Sequence, residues 1–193
     1  MSPTRNRVRE LIAGLDAKDA RTKYGSAKAL RQLAERQPEA LYPHFDFFVG
    51  LLAHENRIFQ WQGIIVFSHL VRVDVERKFD DLFAPYFALI RGSVMITAAN
   101  VIGGAARIAL ARPEWADRIT AEVLKVGRAH YQTDECRNVA IGHAIQTFDQ
   151  IVHLMQDAKP VIRFVQRQLK NDRPATRKKA ARFLRRHFSG PQR

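Results

Sequence analysis

Short polar turns divide this chain into amphipathic segments, and this pattern restricts the possible folds more than any other feature. Apolar residues recur at helical spacing between the turns, and no stretch shows the sustained alternation that is typical of a strand. The sequence therefore predicts an all-α protein, with helix boundaries at proline, glycine and Asp/Asn positions. The predicted helical segments are 4–15, 18–36, 38–53, 56–72, 76–91, 93–111, 114–129, 134–154, 157–171 and 174–188.

The segments form pairs, in which the second helix carries a small residue in the middle of its apolar face. These small residues are Ala27, Gly63, Ala99, Ala140 and Ala180, spaced by 36, 36, 41 and 40 positions. A two-helix period of about 40 residues is typical of an α-solenoid, whose stacked repeats share one core. Small residues suit the points where helices cross closely. We expect the tightest crossing in VIGGAARIALA, residues 101–111.

The pairs resemble HEAT or armadillo-like repeats. First helices such as ALYPHFDFFVGLL (40–52) and LFAPYFALI (82–90) carry a proline and a Leu/Phe stripe, and most second helices open with Arg or Lys after an Asp/Asn turn. The third pair departs from this pattern, with Met95 or Ile96 at the basic position. The resemblance implies a single-domain, right-handed α-solenoid of about five HEAT-like helical hairpins over residues 1–193. The approximate repeats are 4–36, 38–72, 76–111, 114–154 and 157–188.

The composition is that of a soluble globular protein, with 46% hydrophobic and 26% charged residues. A single cysteine, Cys136, excludes an internal disulfide and favours a reducing compartment. The N-terminal residues show no apolar signal segment, and the longest uncharged run, 92–106, is shorter than a membrane span. We therefore predict a cytoplasmic protein without a membrane partner.

Positive charge is concentrated near the C-terminus. From residue 156 onward there are twelve Lys or Arg and only two acids, Asp157 and Asp172, so this part carries +10 of the net charge of +13. A clustered field of one sign attracts an oppositely charged partner more strongly than the same charges dispersed over the surface. The sequence therefore favours an anionic macromolecule, either nucleic acid or an acidic protein, as the partner.

The stretch RPATRKKAARFLRRHF (173–188), which contains the last predicted helix, holds seven Lys or Arg and no acid. Its helical wheel places Ala180, Phe183, Leu184 and His187 on a packed flank, with the cations on the other. Repulsion between like charges four residues apart destabilises a helix slightly, which an anionic partner would offset. A polar cap at the end of a repeat stack is the alternative, with equal weight. The candidate binding residues are Arg177, Lys178, Lys179, Arg182, Arg185 and Arg186.

Second helices supply three further candidates, Arg57, Arg137 and Trp61, since basic groups beside an aromatic ring suit a phosphate-and-base surface. The competing interpretation is structural. Basic residues that open second helices, including Arg57, Arg137 and Arg177, would pair with carboxylates of the turns. The turn acids available for such a ladder are Asp19, Glu55, Asp134 and Asp172.

No motif for catalysis, metal binding or cofactor binding accompanies this pattern, so we expect a non-enzymatic binding module without cofactor, metal or small-molecule substrate. A protein-interaction scaffold that binds an acidic peptide or protein is the alternative function. A HEAT-like DNA glycosylase is the third, with Glu114, Trp115 and Asp117 as its nearest local match to an aromatic cradle and a carboxylate. The sequence leaves the oligomeric state open.

Overall fold

The computed structural model describes residues 3–188, with side chains from residue 6 onward. Within this range the chain forms α-helices and short 3-10 turns without a strand, which confirms the predicted all-α class. The α-helices are α1 Pro3–Gly14, α2 Ala20–Arg36, α3 Pro38–Leu41, α4 Phe45–Leu52, α5 Arg57–Leu70, α6 Phe79–Ala88, α7 Met95–Ala111, α8 Ala116–Leu124, α9 Asp134–Ile151, α10 Lys159–Arg167 and α11 Pro174–Phe188.

Helix boundaries follow the polar turns, and the largest difference from the sequence prediction occurs at a proline. The expected segment 38–53 is divided into α3 and α4 by the 3-10 turn Tyr42–His44. Pro43 has no N–H to donate to the preceding turn, and its ring crowds that turn, so a continuous helix is disfavoured there. Several other segments end in a 3-10 turn, as α8 does at Lys125–Arg128.

Side chains of the turns cap the second helices. Asp19 Oδ1 accepts the Thr22 N–H of α2 at 2.8 Å, and Asn56 Oδ1 accepts the Ile58 N–H of α5 at 3.0 Å. Thr133 Oγ1 accepts the Cys136 N–H of α9 at 3.1 Å. Each oxygen satisfies an N–H group that has no partner inside its helix, so these turns determine where the second helices begin.

The chain divides into two compact units, Met1–Phe83 and Ala84–Arg193. The prediction of one repeat domain over residues 1–193 stays a prediction. In the first unit α1 packs on α2, α4 packs on α5, and α2 packs on α5. Aromatic rings fill the core, where Phe67 lies 5.1 Å from both Phe45 and Phe79, measured between ring centroids. Burial of large apolar side chains is the main stabilising contribution to such a core.

A buried carboxylate starts α6 in the first unit. Asp74 accepts the N–H groups of Lys78 and Phe79 at 3.0 and 2.9 Å, and it also accepts the Tyr42 hydroxyl at 2.7 Å. Burial of Tyr42, together with its hydrogen bond to Asp74, raises the pKa of the phenol to about 12. The carboxylate thus joins the 3-10 turn at Tyr42 to the beginning of α6.

Four of the five predicted small residues are buried, namely Ala27, Gly63, Ala140 and Ala180, whereas Ala99 is half-buried. Within the predicted crossing at residues 101–111, Gly104 is buried, whereas Gly103 is exposed with no atom within 4 Å of an added Cβ. A tight crossing occurs at Gly63. A Cβ there would lie 2.6 Å from Leu51 Cβ and 3.2 Å from the Phe48 carbonyl oxygen, so glycine lets α5 approach α4.

In the second unit α9 packs against both α7 and α11, and α8 and α10 pack against each other and against these longer helices. Two buried threonines connect neighbouring helices through hydrogen bonds. Thr147 Oγ1 donates to the Ile102 carbonyl of α7 at 2.7 Å, and Thr176 Oγ1 donates to the Asn138 carbonyl of α9 at 2.8 Å. Over residues 3–188, none of the helices has the length and apolar character needed to cross a membrane.

Candidate functional site

The basic helix α11 is seated on α9 through the flank that its sequence predicts. Ala180 and Phe183 are 0% and 2% exposed, and Leu184 and His187 are half-buried. At the start of the helix, Asn171 Nδ2 donates to Asn138 Oδ1 at 2.9 Å. Because this amide and the apolar flank are both buried, α11 has a defined rotation about its axis, which decides which cations face solvent.

Two arginines near the beginning of α11 have structural partners. Arg173 Nε lies 2.7 Å from Glu135 Oε1, an ion pair that connects the turn before α11 to the first turn of α9. Arg177 donates to the carbonyl oxygens of Asn171 and Asp172 at 2.7 and 3.0 Å. The sequence assigned Arg177 to ligand binding or to a carboxylate ladder, but its guanidinium binds the main chain of its own turn instead.

Lys179 was expected on the solvent flank, but it is half-buried against α9. Gly142 makes room for it, since a Cβ at residue 142 would lie 3.4 Å from Lys179 Nζ. The ammonium donates to Gln146 Oε1 at 2.9 Å. Burial, and then the positive charges of Arg173 and Arg182, lower the pKa of Lys179. Other cations thus surround this lysine, and among the described residues it has no carboxylate as its partner.

His143 of α9 lies in the same positive environment. Burial is the main cause that lowers its pKa, and the charges of Lys179 and Arg173 lower it further. The lowered pKa favours the neutral imidazole. His143 comes close to the cations of α11 because α9 and α11 pack side by side, which the local sequence does not reveal.

The last turn of α11 is paired with Asp149 of α9. Arg186 NH1 lies 3.1 Å from Asp149 Oδ2, and His187 Nε2 lies 2.7 Å from Asp149 Oδ1. Arg186 remains 65% exposed at its side chain, so this pair is screened by solvent and contributes little to stability. Of the predicted binding residues, Arg186 therefore has a carboxylate partner within the protein.

Three exposed cations of α11 define what we call the cationic stripe: Lys178, Arg182 and Arg185. Among the described residues, the side chains of these three cations form no ion pair and no hydrogen bond. Together with Lys179 and Ala181 they line a shallow depression of about 360 Å³. No carboxylate of the described chain lines this depression, so its positive potential is not neutralised by the helix itself.

The candidates on the other second helices are in different settings. Arg137 NH2 lies 2.7 Å from Asp134 Oδ1, which confirms pairing with a turn carboxylate at this position. Arg57 donates to Gln60 Oε1 at 3.0 Å, and no ion pair of Arg57 is found among the described residues. Trp61 is half-buried on α5. Arg57 and Trp61 belong to the first unit, and Arg137 and α11 belong to the second.

The short motif at Glu114, Trp115 and Asp117 has a structural explanation. Trp115 is buried and has the Arg112 and Arg118 guanidinium groups 5.2 and 6.0 Å from its ring centroid. Asp117 accepts the Gln156 N–H at 3.1 Å and so fastens the turn before α10 to α8. Among residues 3–188, no group of three or more His, Cys, Asp or Glu side chains is arranged to hold a metal ion.

The described part of the chain is thus an all-helical protein whose last helix presents exposed positive charge to solvent. Comparison with known protein families found no model that matches the chain. Comparison with curated proteins likewise found no match.

Proposed function

We propose that the protein is a HEAT-like, right-handed α-solenoid of about five helical hairpins that acts as a non-enzymatic binding module. The packing within each unit supports the solenoid: α2 contacts α5 in the first, and α9 contacts α7 and α11 in the second. Serial contact between successive second helices is what stacked repeats require. The period of about 40 residues in the sequence supports the same arrangement.

The partner in this proposal is an anionic macromolecule, and nucleic acid is the leading choice. The observation that carries it is the cationic stripe, three exposed cations spaced by four and three residues on one helix face. Evenly spaced charges of this kind suit the repeating phosphates of a nucleic acid backbone, whose bound counterions are released on contact. Binding of this type is independent of base sequence.

The proposal assigns different roles to the candidate residues. Lys178, Arg182 and Arg185 contact phosphate directly, and Lys179 raises the local potential from its half-buried position. Arg186 contributes positive charge at the edge of this surface. Its side chain is exposed, although it is paired with Asp149.

A gel-shift titration with duplex DNA and RNA at about 50 mM salt tests the function, since such binding is strongest at low salt. The parent protein is expected to shift both nucleic acids, and the triple variant Lys178→Gln, Arg182→Gln, Arg185→Gln to bind at least tenfold more weakly, about 1.4 kcal/mol or more. The matched control replaces three other exposed cations, Lys18, Arg36 and Arg91, with Gln and removes the same charge.

If the parent protein shifts neither nucleic acid, the nucleic acid proposal fails. If the control triple variant loses as much affinity as the stripe variant, net charge rather than the stripe carries the binding. An acidic protein that co-purifies with the parent at moderate salt and is lost with the stripe variant, without any nucleic acid shift, would establish the scaffold function instead.

A further inference from the structure

A second positively charged surface lies in the C-terminal unit, away from the residues that line the stripe. It is a cleft of about 640 Å³ between the end of α8 with its 3-10 turn and α10. Within the described chain, four cations line it and no carboxylate does. The cationic residues of this basic cleft are Lys125, Arg128, Arg163 and Arg167.

The charges of the basic cleft are poorly neutralised by the protein. Lys125 forms an ion pair with Glu122. The three arginines are exposed and make no ion pair among residues 3–188. Arg163 and Arg167 lie one turn apart on α10, where like charges repel and slightly destabilise the helix. A bound anion would remove this repulsion.

Helix dipoles account for only part of the arrangement. Lys125 and Arg128 follow the C-terminal end of α8, and Arg167 is the last residue of α10, so each lies where the dipole favours a cation. Arg163 stands in the middle of α10 and has no such compensation. Helix electrostatics therefore does not explain why Arg163 lies on the cleft, whereas a bound anion would.

The floor of the cleft is apolar. Ile141 and Phe164 are buried beneath it, and Leu124 is half-buried at its side. Gly127 allows this close packing, because a Cβ there would lie 3.0 Å from Phe164 Cε2. This volume falls within the range of small-ligand sites, which are about 300–1,000 Å³, and the cleft combines an apolar floor with a few convergent charges.

We propose that the basic cleft binds a nucleotide, with its phosphates held by Arg128, Arg163 and Arg167 and its base against the apolar floor. Arginine is suited to phosphate because its planar guanidinium can donate two parallel hydrogen bonds. A simple inorganic anion would leave the apolar floor uncovered. The cleft shares no lining residue with the cationic stripe, so this site is independent of the proposed nucleic acid surface.

Isothermal titration calorimetry with ATP as the probe, at about 150 mM salt to screen diffuse attraction, tests the site. ATP is expected to bind at least tenfold more tightly than tripolyphosphate, because only the nucleotide covers the floor, and adenosine is expected to bind much more weakly than either. Arg163→Gln should weaken ATP binding about tenfold, as expected for loss of a charge-assisted hydrogen bond. Equal affinity for ATP and tripolyphosphate would overturn the nucleotide assignment.

A charge-neutral variant separates a specific site from general attraction to a basic protein. Ala121 is exposed on α8 and lines the cleft, so Ala121→Phe fills it without altering charge. This variant should weaken ATP binding by more than tenfold. Ala84→Phe, the same change at an exposed position of α6, should leave ATP affinity unchanged. Parent-like ATP binding by Ala121→Phe would overturn the proposal, and the exposed Arg163→Gln remains decisive if Ala121→Phe fails to fold.

The stripe variant Lys178→Gln, Arg182→Gln, Arg185→Gln distinguishes the two proposals. It should retain ATP binding while losing nucleic acid, and Ala121→Phe should show the reverse. If the stripe variant loses ATP binding as strongly as Arg163→Gln does, ATP is bound by diffuse charge and the basic cleft is not a site.

Discussion

Two buried threonines in the C-terminal unit differ in whether their hydroxyl groups have a hydrogen-bond partner. Thr176 Oγ1 donates to the Asn138 carbonyl and joins α11 to α9. Thr120 Oγ1, on α8, has no hydrogen-bond partner among the described residues. Removing a buried hydroxyl that is hydrogen-bonded leaves its acceptor unsatisfied, whereas removing an unpaired one leaves nothing unsatisfied. Substituting each of these two threonines therefore measures how much one buried hydrogen bond contributes to stability.

Thr176→Val is expected to lower the free energy of unfolding by about 1–2 kcal/mol, because the Asn138 carbonyl loses its buried donor. Thr120→Val, the same substitution at a buried site, should leave stability unchanged or raise it slightly. Urea denaturation followed by circular dichroism measures both. Equal losses in the two variants would contradict the assigned role of the Thr176 hydrogen bond.

The histidine beside the cations of α11 should make stability depend on pH. The pKa of His143 is lowered in the folded protein, so the unfolded chain binds more protons as the pH falls below the ordinary histidine value of 6.5. Stability is therefore lost from about pH 6.5 downward to the folded pKa. His143→Gln should reduce this loss when urea denaturation at about pH 7.5 and about pH 5.5, on either side of the ordinary pKa, is compared. In Lys179→Gln, NMR titration should show the pKa of His143 moving upward, and an unchanged value would argue against their interaction.

At the scale of secondary structure elements, the distance between helix axes is decided by single small residues. Gly63 permits α5 to contact the Leu51 side chain and the Phe48 carbonyl of α4. Gly103, in the middle of α7, faces open space although its sequence context is more strongly apolar. Helical periodicity identifies which residues share a face, but close approach depends on what the neighbouring helix places opposite them.

Gly63→Ala is expected to destabilise the protein by about 1–3 kcal/mol, because the added methyl group overpacks the crossing of α4 and α5. Gly103→Ala should stabilise it by about 0.5–1 kcal/mol through the higher helix propensity of alanine. Thermal unfolding monitored by circular dichroism gives the sign of each change. Stabilisation by Gly63→Ala would show that α4 and α5 are not in tight contact.

At the scale of the whole molecule, the uneven charge is divided between cations that have partners and cations that face solvent. Arg173 and Arg186 have carboxylate partners on α9, and Arg177 binds main-chain carbonyls. The remaining cations of the last two helices include the cationic stripe and two arginines of the basic cleft, Arg163 and Arg167. Charge that is not neutralised locally dominates the long-range field that an approaching anion meets.

The nucleic acid proposal predicts a steep salt dependence at this scale. The slope of log affinity against log salt concentration should become shallower by about 0.9 for each duplex phosphate that the protein no longer neutralises, and the stripe variant removes three cations. The control variant at Lys18, Arg36 and Arg91 should keep the parent slope. A stripe variant with the parent slope would show that its cations do not contact phosphate. Fluorescence anisotropy titrations between about 50 and 200 mM salt measure the slope for each variant.

Local sequence patterns account well for the helices and poorly for the site. Polar turns such as the one at Asp19 act within a few residues, since their oxygens cap the helix that follows. The predicted span of α11 agrees with the structure, as does its packed flank through Ala180 and Phe183. Long-range pairs could not be predicted in the same way. Arg186 pairs with Asp149, 37 residues away in the chain, because α9 and α11 pack side by side.

The sequence by itself determined the all-α class, most of the helix boundaries and the buried face of the last helix, because turn chemistry and helical periodicity are local properties. Only the tertiary structure decided which cations of α11 have a carboxylate partner and which are exposed without one. It also brought Lys125 and Arg128 opposite Arg163 and Arg167 around the basic cleft. The physical reason is that charge pairing and cleft formation depend on distances between helices, which helix packing sets and local sequence does not encode.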